Sequence, residues 1–375
     1  MRTRGLGVFA VEDRCAQLTW SALGPGTATF TWPGGTTATE VDGGPGGVDV
    51  VGLEPDHYYD ILIEVSRPPG RVVATHAVGL RTLPAPPGRE LYRFATLSDL
   101  HFGQTDFGLF KEIGEPDAVV PHPTRCARAA LHDALGWGAQ RVVVKGDIVH
   151  RGFPQNWAEV AAVFGHPTVP IDMICGNHDT KAPRTVDAFA EAARYGLALH
   201  PEVTSVDIPG LRLILMDSTS GEVDVGRWGH FRGRVAQAAK EAGGPAMLLV
   251  HHQPQSLPFP VYLPRGIPSP IAQRFLRELH RANPDVIGSS GHTHRHRRRI
   301  VGGVPWVEVG STKDYPGTWA GYVVHEGGIR QVVRRIVRRD VIGWTERTKR
   351  AAFGTWGLWS PGTLDARCFV HPWGR

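Results

Sequence analysis

The chain has 375 residues, which is enough for two domains, and 41% of them are hydrophobic, as is usual for a protein with a packed core. The net formal charge is only +5, whereas nucleic-acid-binding proteins usually concentrate basic residues on one face, so we expect no nucleic-acid partner. The basic N-terminus lacks an apolar run of signal-peptide length, and no later stretch approaches the ~18 uninterrupted apolar residues of a membrane span. We therefore expect a soluble cytoplasmic protein without membrane association, and the sequence indicates no particular oligomeric state.

The four cysteines are Cys15, Cys126, Cys175 and Cys368, and none of them forms a C-x-x-C pair. Their spacing therefore gives no zinc-finger or thioredoxin pattern. Because a chain of this length needs no disulfide framework, we expect free thiols in a reducing compartment.

The first 88 residues have the pattern of an all-β domain. Short apolar or alternating runs are separated by clusters of glycine and proline, and they predict strands at 16–21, 28–32, 48–53, 58–65 and 72–80. Strands this short and evenly spaced favour a β-sandwich. Residues 82–89 are rich in proline and indicate a linker, so we expect domains at 1–88 and 89–375.

One local pattern in this region has a known counterpart. Leu53, Pro55 and Tyr59 precede alternating apolar residues at 61–65. The pattern resembles the tyrosine corner of the fibronectin type III domain. That resemblance implies that Trp20 is a core residue of an early strand.

From residue 90 the pattern changes to alternating strands and helices. Strands are predicted at 93–97, 141–144, 169–175, 211–216, 246–250 and 286–289, and helices at 124–138 and 155–164. This alternation predicts an α/β domain with a buried sheet.

Five of these strands run into residues with metal-binding side chains. The side chains are Asp99, His101, Asp147, Asn177, His251, His292 and His294, with His178, Asp179 and His252 beside them. Because sites in open α/β sheets form beyond the carboxyl ends of the strands, these residues are expected to converge.

Carboxylate, amide and imidazole groups together suit divalent metal ions. Two ions roughly 3.5–4 Å apart hold the attacking and leaving oxygens of a displacement at phosphorus, and a carboxylate can bridge them. The ions lower the pKa of a bound water, so that metal-bound hydroxide forms near neutral pH. The residue types therefore suit a two-metal site, and such a site can hydrolyse a phosphate ester.

The motifs D-x-H at 99–101, G-D at 146–147, G-N-H-D at 176–179, H-H at 251–252 and G-H-T-H at 291–294 resemble the calcineurin-like metallophosphoesterases. Their order and spacing match that family across residues 92–325. The resemblance implies a four-layer αββα sandwich, here preceded by the small all-β sandwich.

The resemblance also implies a role for each position. A first metal would be held by Asp99, His101 and His294, a second by Asn177, His251 and His292, with Asp147 bridging them. His178 would lie next to the substrate, steadying phosphate or protonating the leaving oxygen, and Asp179 would orient it. From the pair at 251–252 the family usually uses the first histidine, which leaves His252 as a neighbour of the ligands. The two divalent ions would be manganese, iron or zinc.

Purple acid phosphatases also join a fibronectin-like domain to this catalytic fold. Their iron-binding tyrosine stands three residues after the bridging aspartate, where this chain has His150, and they lack the histidine of D-x-H. The chain is therefore similar to the branch without the purple iron–tyrosinate centre. His150 is a candidate neighbour of the ligands.

The substrate is expected to be a small phosphate ester, and the motif set is most similar to the cyclic-nucleotide phosphodiesterase branch. We therefore predict a phosphodiester, such as a cyclic nucleotide. A phosphomonoester is the alternative within the class, and a non-catalytic binding scaffold is the alternative from another class. A scaffold would have lost ligands, whereas this chain keeps every expected one.

The remaining predictions concern the surroundings of the site. The loops at 102–123 and 253–268 follow ligand-bearing strands and are candidates for setting substrate choice. The tryptophan-rich tail at 344–375 is expected to dock on the body of the domain. The arginines at 295, 297 and 299 are expected to form a solvated strand face, with attraction of an anionic substrate as the alternative. Those at 330, 334, 335, 338 and 339 are expected to be charged surface.

Overall fold

A computed structural model describes residues 3–115, 117–181, 186–220, 226–257 and 264–374 of the chain. Its N-terminal region consists of seven strands, β1 (Gly7–Val11), β2 (Cys15–Trp20), β3 (Gly26–Trp32), β4 (Gly35–Val41), β5 (Gly46–Val51), β6 (Tyr58–Arg67) and β7 (Arg71–Arg81). They form two antiparallel sheets with the orders β1–β2–β5 and β4–β3–β6–β7. The predicted all-β region is therefore confirmed.

The apolar alternation that predicted β6 places Tyr59, Ile61, Ile63 and Val65 in the core. Trp20 is also buried, as expected. The sequence did not predict β1 or β4. Strand β4 lies at a sheet edge, three of its seven residues are threonine, and every residue but the last is partly or fully exposed, so it has no apolar run.

Residues 82–89 contain neither helix nor strand, and the second region begins directly after them. Its strands are β8 (Glu90–Leu97), β9 (Asp106–Phe107), β10 (Ile113–Gly114), β11 (Val142–Lys145), β12 (Ile171–Ile174), β13 (Ala198–Leu199), β14 (Val203–Ile208), β15 (Leu211–Met216), β16 (Ala246–Val250), β17 (Val286–Ser290), β18 (Arg297–Val301), β19 (Val304–Glu308), β20 (Thr318–His325), β21 (Gly328–Arg335) and β22 (Cys368–Pro372). Its helices are α1 (His122–Gly136), α2 (Pro154–Phe164), α3 (Ala188–Arg194), α4 (Arg232–Lys240), α5 (Ser269–Ala282), α6 (Arg339–Thr348), α7 (Thr355–Trp359) and α8 (Leu364–Arg367), with 3-10 turns at Gly229–Phe231 and Ala352–Gly354.

Two mixed sheets form the centre of this region. One has the order β13–β12–β11–β8–β20–β21–β22, and the other has the order β14–β15–β16–β17–β19–β18. Apolar side chains from both sheets pack in one core, where the rings of Phe94 and Tyr322 stack 4.8 Å apart. Helices α1, α2 and α6 pack on the outer face of the first sheet, and α4 and α5 cover the second. The result is the predicted four-layer αββα sandwich.

Helix α5 shows how the outer layers are fixed by sequence. Ala272, Phe275, Leu276 and Leu279 recur at helical spacing and are buried, while the rest of the helix is charged or partly exposed. One apolar stripe therefore docks the helix on its sheet.

The two regions meet across a set of ion pairs. Arg330 and Arg334 of β21 are buried and bind the carboxylate of Glu12, at 2.9 and 3.0 Å respectively. Arg330 also contacts Asp13, and Arg334 contacts Asp49. The expectation that these arginines are surface residues was wrong, because the N-terminal region covers that face of β21.

Arg335 is buried as well and pairs with Glu346 of the C-terminal tail, so the same expectation was wrong for it. Arg338 and Arg339 are exposed, as expected. Within the described residues, no helix has the length and apolar character needed to cross a membrane.

Candidate metal centre

The side chains predicted to bind metal meet at the carboxyl ends of β8, β11, β12, β16 and β17. Asp147 lies in the middle: its Oδ1 is 3.3 Å from Nε2 of His251 and its Oδ2 is 3.5 Å from Nε2 of His101. On one side, Nε2 of His294 lies 3.4 Å from Oδ1 of Asp99. The loops after strands of the first sheet thus supply the acidic and amide side chains together with His101. The loops after strands of the second sheet supply the other three histidines.

On the other side of Asp147, Nε2 of His251 is the common neighbour. It lies 3.2 Å from Oδ1 of Asn177 and 3.1 Å from Nδ1 of His292. All seven predicted ligands are therefore brought together, although they come from five separate segments of the chain.

The backbone around these side chains is strained. Left-handed φ angles, which non-glycine residues rarely adopt, occur at five of the seven positions: Asp99, His101, Asp147, His292 and His294. Such conformations are costly and cluster at functional sites, where the surrounding structure enforces them.

Two glycines allow the strand ends to approach one another closely. A Cβ on Gly176 would lie 2.3 Å from Oδ1 of Asp147, and a Cβ on Gly146 would lie 2.6 Å from Nδ1 of His251. Gly146 also has a φ of 81°. Side chains at these positions would push the ligands apart.

The outward nitrogen of each of three histidines is fixed by an acceptor. Nδ1 of His251 donates to the carbonyl oxygen of Lys145 at 2.8 Å, and Nε2 of His292 donates to that of Arg265 at 3.0 Å. Nδ1 of His294 donates to the carboxylate of Asp314 at 2.7 Å. Each bond leaves the other ring nitrogen facing the site, where the neutral ring can offer its lone pair to a metal ion.

The buried carboxylates of the site favour positive charge next to them. Burial lowers the pKa of His251, but the nearby carboxylate of Asp147 outweighs it and raises that pKa to about 9. Burial is likewise outweighed at His294, where Asp314 and Asp99 raise the pKa to about 10. Burial opposes ionisation of Asp147 too, yet His251 holds its pKa well below the usual range.

His101 behaves differently, since burial and the ammonium of Lys313 hold its pKa well below the usual range. Its Nε2 is buried and has no hydrogen-bond partner among the described residues. A neutral imidazole with an unbonded nitrogen aimed at a buried carboxylate fits a metal ion well.

His178 and Asp179 sit at the edge of the site. Nδ1 of His178 donates to the carbonyl oxygen of His150 at 2.8 Å, and its Nε2 lies 3.2 Å from Nζ of Lys181. The carboxylate of Asp179 accepts from the backbone N–H groups of Val149 and Gly176, both at 2.7 Å. Asp179 therefore ties two ligand loops together, and the backbone of His150, instead of Asp179, orients His178.

The two histidines predicted as neighbours of the ligands lie beside them. Nδ1 of His150 is 3.3 Å from Nδ1 of His101. Nδ1 of His252 pairs with the hydroxyl of Ser218 at 2.8 Å, and its ring centroid lies 4.7 Å from that of His292. Of the pair at 251–252, only the ring of His251 faces both Asp147 and Asn177 among the described residues.

Sequence reasoning missed Asp314 and Trp356. Asp314 is fully buried behind His294, and the indole Nε1 of Trp356 donates to its Oδ1 at 3.0 Å. The signal available for Asp314 was the same as for the other residues, a polar side chain shortly after the end of a strand, here β19. The contact of Trp356 had no local signal, although the prediction that the tail docks on the body agrees with it.

The surroundings agree in part with expectation. In the loop at 102–123, Phe107 packs against Trp356 with centroids 5.4 Å apart. Of the loop at 253–268, residues 258–263 lie outside the described residues. The arginines at 295, 297 and 299 are not a solvated strand face, because they converge on the buried carboxylate of Glu308.

The chain is similar to several solved structures. Among solved structures, purple acid phosphatase PPD1 from yellow lupin (Lupinus luteus) seeds is 14% identical, with a TM-score of 0.44 over 88% of this chain and 72% of that one. GAP50, the anchor in the inner membrane complex of Plasmodium, is 13% identical, with a TM-score of 0.45 over 68% of this chain and 87% of that one. No curated protein matches the chain.

Residues 92–296 match the family of calcineurin-like phosphoesterases. The matched segment runs from β8 to the histidines that follow β17, so it contains all five motifs and every residue placed around Asp147. Because it also makes up more than half of the chain, the protein belongs to the calcineurin-like phosphoesterase family.

Proposed function

We propose that this protein hydrolyses a phosphodiester, such as a cyclic nucleotide, with two divalent metal ions. The observation that carries the proposal is the convergence of seven ligand-type side chains from five strand ends, with Asp147 in their middle. Membership of the family supports metal-dependent hydrolysis of a phosphate ester. The preference for a diester rests on the motif set alone.

The proposed ligands divide around Asp147, which would bridge the two ions. One ion would be held by Asp99, His101 and His294, and the other by Asn177, His251 and His292. The inward-facing nitrogens and carboxylate oxygens support this division. When bound, two such ions act as Lewis acids on the phosphate and activate the attacking water. Manganese, iron and zinc all suit this donor set.

His178 would contact the phosphate from the edge of the site. Burial and the ammonium of Lys181 lower its pKa, against the attraction of Asp147, so the neutral imidazole is favoured before substrate arrives. This supports a role in steadying the phosphate. Asp179 would act as a positioning residue, because it ties the loops after β11 and β12.

We further propose that residues 1–88 form a fibronectin type III-like domain and residues 89–375 the catalytic domain. The two-sheet strand order of the N-terminal region supports this, as does the hydroxyl of Tyr59, which accepts from the backbone N–H of Glu54 at 2.9 Å. The location in the cytoplasm stays a prediction of the sequence.

The test is hydrolysis of bis-p-nitrophenyl phosphate and p-nitrophenyl phosphate by chelated protein reloaded with manganese. Faster cleavage of the diester supports the proposal and directs the search to cyclic nucleotides. Faster cleavage of the monoester makes the protein a phosphomonoesterase instead. A protein that neither binds metal nor cleaves either ester would be a binding scaffold.

A further inference from the structure

Asp314 and Trp356 lie outside the five motifs and are not among the seven proposed ligands. We propose that Asp314 is a positioning residue for the metal ion on the His294 side, and that the C-terminal tail holds it in place. This inference rests on the proposed function, since it concerns the same metal pair.

Asp314 is completely buried, and each of its carboxylate oxygens has a donor. Oδ2 accepts from Nδ1 of His294 at 2.7 Å and from Nζ of Lys313 at 3.1 Å. Oδ1 accepts from Nε1 of Trp356 at 3.0 Å. Both oxygens therefore act as acceptors, as those of a carboxylate do.

This arrangement makes the two halves of the metal centre chemically different. The outward nitrogens of His251 and His292 donate to backbone carbonyls, and Nδ1 of His101 faces another imidazole. Of these four histidines, His294 is the only one in the described part of the chain whose outward nitrogen donates to a carboxylate. A carboxylate fixes the tautomer of a ligating histidine and makes the ring a stronger donor than a carbonyl does.

The tail clamps the segment that carries Asp314. The indole of Trp344 in α6 donates to the carbonyl oxygen of Lys313 at 2.6 Å, and the hydroxyl of Thr348 accepts from the backbone N–H of Tyr315 at 2.7 Å. Trp356 of α7 then reaches Asp314 itself, with its ring centroid 5.8 Å from that of His294. Three residues of the tail therefore fix residues 313–315 from one side, which gives the tail a direct influence on a metal ligand.

The experiment compares Asp314→Asn and Trp356→Phe with the native protein. Isothermal titration of the chelated proteins with Mn²⁺ gives the stoichiometry and the Kd of each ion. We expect the native protein to bind two ions, and Asp314→Asn to bind one of them about 10- to 100-fold more weakly. Trp356→Phe keeps an aromatic side chain but loses the indole N–H that donates to Asp314, so we expect a smaller loss at the same ion.

Asp172→Asn is the matched control, because Oδ1 of Asp172 pairs with Nε2 of His200 at 2.7 Å in the same way but outside the metal centre. It should leave both Mn²⁺ affinities unchanged. The rate of ester hydrolysis supplies a second readout. The lower rate of Asp314→Asn should return to the native value at saturating Mn²⁺, whereas a general structural defect would persist.

Two ions bound by Asp314→Asn with native affinity would overturn this inference and leave the proposed function intact. If the native protein binds no Mn²⁺, the proposed function fails, and the inference fails with it. Thermal unfolding of the chelated variants checks that they are folded. If Asp314→Asn does not fold, the weaker binding expected of Trp356→Phe decides the question.

Discussion

Asp147 is the residue on which both halves of the candidate site depend. Its two carboxylate oxygens face His251 and His101, and Oδ1 also accepts from the backbone N–H of His178 at 2.8 Å. A single negative group between two cations offsets their mutual repulsion, so no neutral side chain can replace it without loss.

We expect Asp147→Ala to lower kcat for bis-p-nitrophenyl phosphate by at least about 100-fold. The reason is that several kcal/mol of charge stabilisation depend on the metal pair, and each ~1.4 kcal/mol corresponds to a tenfold change in rate. The measurement is steady-state hydrolysis alongside metal analysis of the same sample. Asp207→Ala, at an exposed position of β14, should keep native activity. Near-native turnover by metal-replete Asp147→Ala would overturn the assignment of the site.

At the scale of single residues, local sequence patterns predicted the side chains around Asp147, because each lies in a short motif that follows a strand. Asp314 follows β19 without belonging to a recognised motif, and its contact with Trp356 joins segments 42 residues apart, which leaves no local pattern. Asp179 shows a related difficulty: its position in the motif was recognised, but its hydrogen-bond partners depend on how two loops pack.

At the scale of secondary-structure elements, helix α1 is joined to helix α6 by stacked rings. The buried ring of His122 lies 3.8 Å from that of Trp344, and its Nε2 has no hydrogen-bond partner among the described residues. Burial, assisted by the cations of Lys313 and Arg125, lowers the pKa of His122 to about 2.

This contact should make stability depend on pH. Because the folded pKa lies below the unfolded value of about 6.5, the unfolded chain takes up a proton that the native state excludes, and stability falls as pH drops below 6.5. The contribution of His122 is about 1.4 kcal/mol less at pH 5.5 than at pH 7.5. Urea unfolding of native protein and His122→Phe at both pH values measures it. The variant should show the smaller pH dependence, and equal dependence in both would contradict the assignment.

A second prediction concerns the contact of β21 with the N-terminal region. Arg334→Leu leaves Glu12 and Asp49 short of a partner at a largely buried interface, so we expect a loss of about 3 kcal/mol in the free energy of unfolding. Arg81→Leu removes an exposed ion pair with Asp56 and should cost less than about 1 kcal/mol. Urea unfolding of the two variants compares them, and similar losses would show that the buried pairs do not hold the interface.

The arginines of β21 also show why strands and helices were predicted better than the contacts that they make with the rest of the chain. Charged residues along a strand indicate that one face is polar, but they do not say what covers that face. Here it is covered by Glu12, Asp13 and Asp49, roughly 300 residues away in the sequence. Interpreting the pattern as surface was therefore reasonable locally and wrong in the folded chain.

At the scale of the whole molecule, strand–helix alternation predicted an α/β domain, whereas the four layers followed from the family resemblance. The order of strands was beyond local patterns, because β8 lies between β11 and β20, and the C-terminal β22 completes the first sheet. The pairing of β8 with β20 joins segments more than 200 residues apart.

The sheet order has a consequence for stability. Asp99, Asp147 and Asn177 follow strands of the first sheet, whereas the histidines at 251, 292 and 294 follow strands of the second. Metal ions held by both groups would link the two sheets of the sandwich in the native state, and the unfolded chain would lack that arrangement.

We therefore expect added Mn²⁺ to raise the melting temperature of the chelated protein. A ligand that binds only the native state stabilises it by about 2.7 kcal/mol per site when its free concentration is one hundred times Kd. Thermal unfolding of native protein, Asp147→Ala and Arg81→Leu, each with chelator or with Mn²⁺, tests this. The shift should be present in Arg81→Leu, whose change lies in the N-terminal region, and largely lost in Asp147→Ala. An equal shift in all three proteins would mean that Mn²⁺ binds elsewhere, and the link between the sheets would have to be abandoned.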